Sequence, residues 1–200
     1  GKPFWTQRFF AAALRSDRPN TLFIPIQMLP LLRPQGTATV AVVHDLEFLR
    51  YPETYTLINR ALLRFFTWHA VRNATQLIAV SQYTKDDVVR TYGRSPDDIT
   101  VVHHGVALER FQNVEGREDA RRRYPLPERY LLFVGALQPR KNIVGLITAF
   151  EELKRTEASL HLVMVGGGEW KAAPILARIE ASPLRDFIHL LRRVPSSDLP

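Results

Sequence analysis

Seven short apolar runs punctuate the chain, at residues 21–24, 39–43, 76–80, 99–102, 130–134, 160–165 and 187–191. Their apolarity is continuous rather than alternating, which marks strands covered on both faces, as parallel strands are. Between them the period lengthens to that of a helix. In 142–155 the apolar residues Ile143, Leu146, Ile147, Phe150 and Leu153 fall on one stripe, with Glu151, Glu152, Lys154 and Arg155 near the wet end. A longer helix is expected over 54–72 and a short one over 84–92, stopped by Gly93. Strand alternating with helix predicts an α/β fold with parallel sheets. Residues 108–129 break this rhythm: they are densely charged and close on Tyr124-Pro125-Leu126-Pro127, whose second proline holds Leu126 extended. A domain boundary is expected there, near Gln112, leaving one half over 1–112 and another over 113–200, each incomplete as a sheet. A further helix is expected to start at Ser197-Asp198-Leu199-Pro200.

Composition narrows the classes. With 46% apolar and 24% charged residues the chain has the make-up of an ordinary globular protein. Lys and Arg number 27 against 20 Asp and Glu, and the net charge of +7 favours anionic partners: phosphates, lipid headgroups or nucleic acid. The excess is not gathered into one basic tract with interleaved aromatics, and no nucleic-acid module is recognisable, so nucleic acid is set aside. No apolar run reaches the ~18 residues of a spanning helix, and the first residues lack a signal-peptide layout, which reads as cytoplasmic. Cysteine is absent, so disulfides and thiolate metal sites are excluded.

In open parallel sheets, ligands bind outside the carboxyl ends of the strands, so the turns after these runs carry the candidate chemistry. The strongest is Gly135-Ala136-Leu137-Gln138-Pro139-Arg140-Lys141-Asn142, which leads into a helix. Gly135 lets the backbone turn tightly, and the helix start offers unpaired N–H groups and partial positive charge. Arg140 and Lys141 stand at that end, where cations are disfavoured unless an anion joins them. The turn is either a phosphate site or a solvated basic turn. After 39–43, His44 could donate to a phosphate or sugar hydroxyl, with Asp45 orienting it or accepting from a hydroxyl. The alternative is a structural turn capped by Asp45. Ser81 either serves a ligand or belongs to a helix cap, Thr84 with Asp87 three residues on being the expected capping pair. Gly166-Gly167-Gly168 would let backbone approach a ligand, although it matches neither G-x-G-x-x-G nor the P-loop. His103 and His104, read as strand residues, would point to opposite faces, and neither DxD nor HExxH occurs, so no metal is expected.

Taken in order, His44-Asp45, Ser81 with a helix ending at Tyr92-Gly93, Val101-Val102-His103-His104-Gly105-Val106, and Phe133-Val134-Gly135 with Pro139-Arg140-Lys141-Asn142 resemble the retaining glycosyltransferases of family 4. The resemblance runs through nearly the whole chain, and 42–55 with its Pro52-Glu53 is particularly similar to bacterial mannosyltransferases of surface polysaccharide synthesis. It implies a GT-B fold: two Rossmann-like domains with parallel sheets, both truncated here. Residues 1–112 would be the C-terminal part of the acceptor-side domain, and 113–200 the N-terminal part of the nucleotide-sugar domain. The implied reaction moves a hexose, mannose being expected, from a nucleotide-diphosphate sugar to a glycan or lipid-linked acceptor with retention. GDP-mannose is the expected donor, and no further cofactor is implied. The resemblance places Gly135, Arg140 and Lys141 on the donor diphosphate, His44 with Asp45 at the transferred sugar, and Ser81, Gly105, Gly166 and Gly167 along the ligand. Three departures stand out. Ala136 replaces a common arginine, Arg192-Arg193 stands where a glycine is frequent, and the first glycine-rich loop and the E-x7-E segment are absent from these 200 residues. The piece alone is therefore expected to be inactive.

Two rival readings remain at this point. Residues 60–72 interleave Arg60, Arg64 and Arg72 with Phe65, Phe66 and Trp68, which suits peripheral contact with an anionic membrane, here its inner face. The same pattern suits a helix packed on the sheet with snorkelling arginines. A sugar-nucleotide epimerase would share the GT-B architecture and need no acceptor.

Overall fold

The computed structural model describes residues 6–112, 117–167 and 172–199. It forms two compact units, Gly1–Gly105 and Val106–Pro200. The first holds a parallel sheet in the order β1-β2-β3-β4, with β1 Thr21–Ile24, β2 Ala38–Val43, β3 Gln76–Ala79 and β4 Ile99–Val101. Its helices are α1 Ala11–Asp17, α2 Glu47–Arg50, α3 Leu57–Asn73 and α4 Gln82–Tyr92. In the second, β5 Tyr130–Val134, β6 His161–Val165 and β7 Ile188–Leu191 pair in that order, also parallel. Its helices are α5 Leu108–Gln112, α6 Arg117–Arg123, α7 Ile143–Leu153 and α8 Ala173–Glu180. All seven apolar runs are strands.

Several boundaries differ from the sequence reading for local reasons. The helix expected from residue 54 begins at Leu57, because Pro52–Thr54 forms a separate 3-10 turn and the Thr56 hydroxyl caps the Asn59 N–H. Ser81 rather than Thr84 caps α4, accepting from the Thr84 N–H at 3.1 Å. The charged stretch 108–129, where the strand–helix rhythm breaks, contains α5 and α6. Near the last described residues Ser196–Asp198 forms a 3-10 turn. Glu151, assigned to the wet end of its helix, is half-buried: Arg178 donates to it at 2.9 and 2.5 Å and Ser182 at 2.6 Å, joining α7 to α8.

The first core gathers Leu22 and Ile24 of β1, Ala41 and Val43 of β2, Phe48 of α2 and Val88 of α4. Thr39 and Thr75 exchange backbone-to-hydroxyl bonds at 2.9 and 3.0 Å, aligning the starts of β2 and β3. The guanidinium of Arg94 closes the end of α3 by donating to the carbonyls of Val71, Ala74 and Thr75. In the second core Ile143, Ile147 and Phe150 of α7 pack with Ile175 and Ile179 of α8 over Leu162, Met164 and Ile188. The expectation of strands covered on both faces fails for β1 and β5, where Phe23, Leu132 and Val134 are more than half exposed. Both are edge strands of their sheets, with a neighbour on one side among the described residues.

On β6 and β7, His161 Nδ1 lies 2.9 Å from His189 Nε2, so one ring donates and the other accepts. Burial first, then the neighbouring His189 and Lys154, hold the His161 pKa below its ordinary 6.5. Tyr130 on β5 sits in register with it, and Phe187 packs on its ring at 5.1 Å. Because the folded state binds its proton less readily than the unfolded chain, stability rises with pH through this window. The thermal midpoint is expected to fall as pH is lowered from about 7.5 to about 5.5. His161→Gln should flatten that fall; an unchanged slope would show that the pair is not its source.

Candidate functional site

Because every pair of neighbouring strands is parallel, the carboxyl ends of all strands in a sheet open at one edge. In the first unit that edge brings together Pro25 and Gln27 after β1, His44 and Asp45 after β2, Ser81 and Thr84 after β3, and His103, His104 and Gly105 after β4. His44 is the centre of this group. Its Nε2 donates to the Pro25 carbonyl at 2.8 Å, which sets the neutral ring as the Nε2–H tautomer and makes Nδ1 the unprotonated nitrogen. The His104 ring stacks on it, with centroids 5.3 Å apart.

The turn carrying His44 is gripped from two sides. From the β1 side, Gln27 spans the peptide, donating to the Asp45 carbonyl at 3.3 Å and accepting from the His44 N–H at 3.5 Å. From the α4 side, the buried Thr84 hydroxyl donates to the His44 carbonyl at 3.1 Å. Asp45 does not orient the ring: its Oδ1 accepts from the Glu47 N–H at 3.2 Å, the capping alternative. Ser81 likewise uses its hydroxyl in the cap of α4 and pairs with Thr84 at 3.0 Å. His103 and His104 follow the end of β4 rather than lying on it, so the opposite-faces rule does not govern them. Gly105 is exposed, with nothing within 4 Å of where a Cβ would stand.

In the second unit, the turn 135–142 is the expected phosphate-facing segment, with Gly135 at its start and the N–H groups of a helix at its end. Most of its N–H groups are occupied internally. Gly135 donates to Val165, Leu137 to Gly167, Gln138 to Ala136, Lys141 to Gln138 and Asn142 to Pro139. What the turn offers an anion is side-chain charge beside a helix start. Pro139–Lys141 forms a 3-10 turn, with Arg140 half-buried and donating through Nε to Gln138 at 2.9 Å, and Lys141 exposed. Asn142 follows at φ 49°, makes no side-chain cap, and opens α7, whose first turn contains no acidic residue. The first N–H groups of α7 precede its first internal bond, Leu146 N–H to Asn142, so the positive end of the helix dipole directly follows the two cations in the chain.

Gly166 and Gly167 complete this edge, while Gly168 lies outside the described residues. Gly166 donates to the Leu191 carbonyl, and Gly167 accepts from Leu137. At φ 146°, a Cβ on Gly166 would fall onto the Gly135 carbonyl oxygen, so this glycine answers to strand-end packing before any ligand. Arg192 and Arg193 follow β7 at the same edge and are exposed.

The family model for Glycosyltransferase Family 4 matches residues 2–110, and that for Glycosyl transferases group 1 matches 116–200. The chain belongs to glycosyltransferase family 4. This family 4 chain is 28% identical over 171 residues to an O-antigen chain mannosyltransferase of Salmonella typhimurium, covering 86% of the chain and 43% of that protein. It is 47% identical over 100 residues to a D-inositol 3-phosphate glycosyltransferase of Streptomyces bingchenggensis, covering 47% of the chain and 22% of that protein. The chain thus spans less than half the length of either relative. Its fold is similar to that of Anabaena HepE solved with UDP and glucose, at TM-score 0.68 and 16% identity, covering all of this chain and 55% of that one. The α/β fold with two Rossmann-like parallel sheets, GT-B, is thereby established.

Of the polar residues now seen around His44, the sequence reading missed Pro25, Gln27 and His104 as partners and the role of Thr84. No local signal in the sequence marks the first two, because they meet His44 only once β1 is set beside β2.

Proposed function

We propose that the full protein is a retaining hexosyltransferase that moves mannose from GDP-mannose to a glycan or lipid-linked acceptor of surface polysaccharide synthesis. The observation carrying this reading is the turn Arg140-Lys141-Asn142, where two consecutive cations lead directly into the N-terminus of α7 after the carboxyl end of β5 within a family 4 chain. As the donor breaks, negative charge grows on the departing nucleoside diphosphate while the sugar becomes oxocarbenium-like. Fixed cations that meet that charge lower the barrier. His44, with its ring oriented by Pro25, presents Nδ1 to the sugar, accepting from a hydroxyl when neutral and donating when protonated. Asp45, Ser81, Gly105, Gly166 and Gly167 shape the edges from which these groups act. Mannose is favoured by similarity to the Salmonella mannosyltransferase, and acceptor dependence separates transfer from epimerisation.

The acceptor side of this reading rests on α3. Its later half buries Phe66, Ala70 and Val71, as a sheet-packed helix does. Its earlier half exposes Leu57 by 83% and Ile58 by 73%, and a groove of about 770 Å³ lined by Arg60, Arg64, Phe65, Trp68, Leu49 and Tyr92 runs beside it. Apolar surface bordered by arginines fits an acceptor presented at an anionic membrane on the cytoplasmic side. No helix of the described residues is long and apolar enough to cross a membrane. The test is transfer by the full-length protein from labelled GDP-mannose, GDP-glucose and UDP-glucose to lipid-linked acceptors in anionic and neutral vesicles. Retained-configuration mannosyl product, formed faster on anionic vesicles, is expected. Acceptor-free conversion of the donor would overturn the reading in favour of an epimerase.

A further inference from the structure

The His44 turn is tied to α4 at two points that the proposed chemistry does not itself use. Thr84, 5% exposed, donates its hydroxyl to the His44 carbonyl at 3.1 Å. That bond orders the cluster behind it: the Thr84 hydroxyl is the donor there, so at the 3.0 Å contact Ser81 donates to Thr84, and Ser81 in turn accepts from the Thr84 N–H. One turn further on, Asp87, 7% exposed, receives Arg50 of α2 through two bonds, Nε to Oδ2 at 3.2 Å and Nη2 to Oδ1 at 2.7 Å. Arg90 adds a contact at 3.3 Å to the same carboxylate, and the Arg50 guanidinium lies over the Tyr83 ring at 4.9 Å. Thr84 thus holds the carbonyl of the turn that bears His44, and Asp87 holds the far end of the short helix that follows it.

Burying a hydroxyl and a carboxylate is costly unless each is fully bonded, and an apolar contact would join α4 to α2 more cheaply. What the polar pair adds is direction. With the Thr84, Gln27 and Pro25 bonds all made, the backbone N–H, the carbonyl and the Nε2 of His44 are each engaged. The ring then keeps one orientation, with Nδ1 the nitrogen left to meet a substrate. A displacement of about 1 Å at a reacting group can cost a hundredfold in rate. We propose that Thr84 and the Arg50–Asp87 pair are positioning residues that fix the His44 ring for the transfer step. This rests on the reading of His44 as a sugar-facing group.

The experiment is a cycle in the full-length enzyme: Thr84→Val, Thr84→Ser, His44→Ala and the double variant Thr84→Val with His44→Ala. Thr84→Val keeps the shape and removes the hydroxyl. It should lower kcat about tenfold with donor KM changed less than twofold, and Thr84→Ser should restore most of the rate. In the His44→Ala background the valine should cost nothing further, because a residue acting only through His44 has nothing left to position. Should Thr84→Val unfold near assay temperature, Arg50→Met, at an exposed side chain, carries the same cycle through Asp87. Additive losses, or a valine variant within twofold of the unaltered kcat, would overturn the positioning role while leaving His44 in place. A His44→Ala enzyme within twofold of the original rate would instead overturn the assignment of His44 itself.

Discussion

Replacing Lys141 by alanine in the full-length enzyme is expected to lower kcat/KM about a hundredfold, or ~3 kcal/mol of transition-state stabilisation. Thermal unfolding should stay within ~0.5 kcal/mol of the original, because Lys141 is exposed at the tip of a 3-10 turn and lies in neither core. The size of the kinetic effect follows from where the charge stands. The turn's own N–H groups are largely occupied within the turn and by β6, so side-chain cations and the start of α7 are what a diphosphate would meet. An exposed lysine facing only solvent would contribute almost nothing. Steady-state kinetics with the nucleotide-sugar donor check it, and a rate within twofold of the original would make this a solvated basic turn. Arg140→Ala is the less clean variant, since Arg140 also braces Gln138 at 2.9 Å.

Gly166→Ala should destabilise the protein by about 3 kcal/mol, through overpacking against fixed backbone. The added Cβ would land on the Gly135 carbonyl oxygen, and neither partner can swing aside. Gly135 is held by its bond to Val165, and Gly166 by its bond to Leu191. The strain at φ 146° adds to the clash. Gly167→Ala is the internal control: its Cβ would meet the Arg192 carbonyl at 3.7 Å, an ordinary contact, so its cost should stay within ~0.5 kcal/mol. Thermal or denaturant unfolding of the two variants checks the contrast. Equal midpoints would mean that the ends of β5 and β6 separate more readily than their hydrogen bonds indicate.

The cations Arg140 and Lys141 and the helix behind them are a local pattern, and the structure keeps them together because they are consecutive residues. The glycines 166 and 167 look alike as sequence, yet one abuts a carbonyl on the neighbouring strand and the other does not. Asp45 was readable as a cap or a catalytic partner, and the 3.2 Å bond to the Glu47 N–H places its carboxylate in the cap. Glu151, polar and near a helix end, looked solvated until α8 brought Arg178 against it.

By itself the sequence determined the alternation of seven apolar runs with helical segments, hence two parallel α/β sheets, the helix stop at Gly93, and which turns hold charge at a strand's carboxyl end. Those features depend on residues a few positions apart, where side-chain period and backbone preference act directly. Only the tertiary structure decided how His44 is held, since its partners lie 17 to 40 residues away, at Gln27, Pro25 and Thr84. It alone decided that β1 and β5 leave a face exposed and that His104 stacks on His44. Hydrogen bonds and ring contacts between separate turns exist only once the order of strands has set which ends are neighbours, and no local period encodes that order.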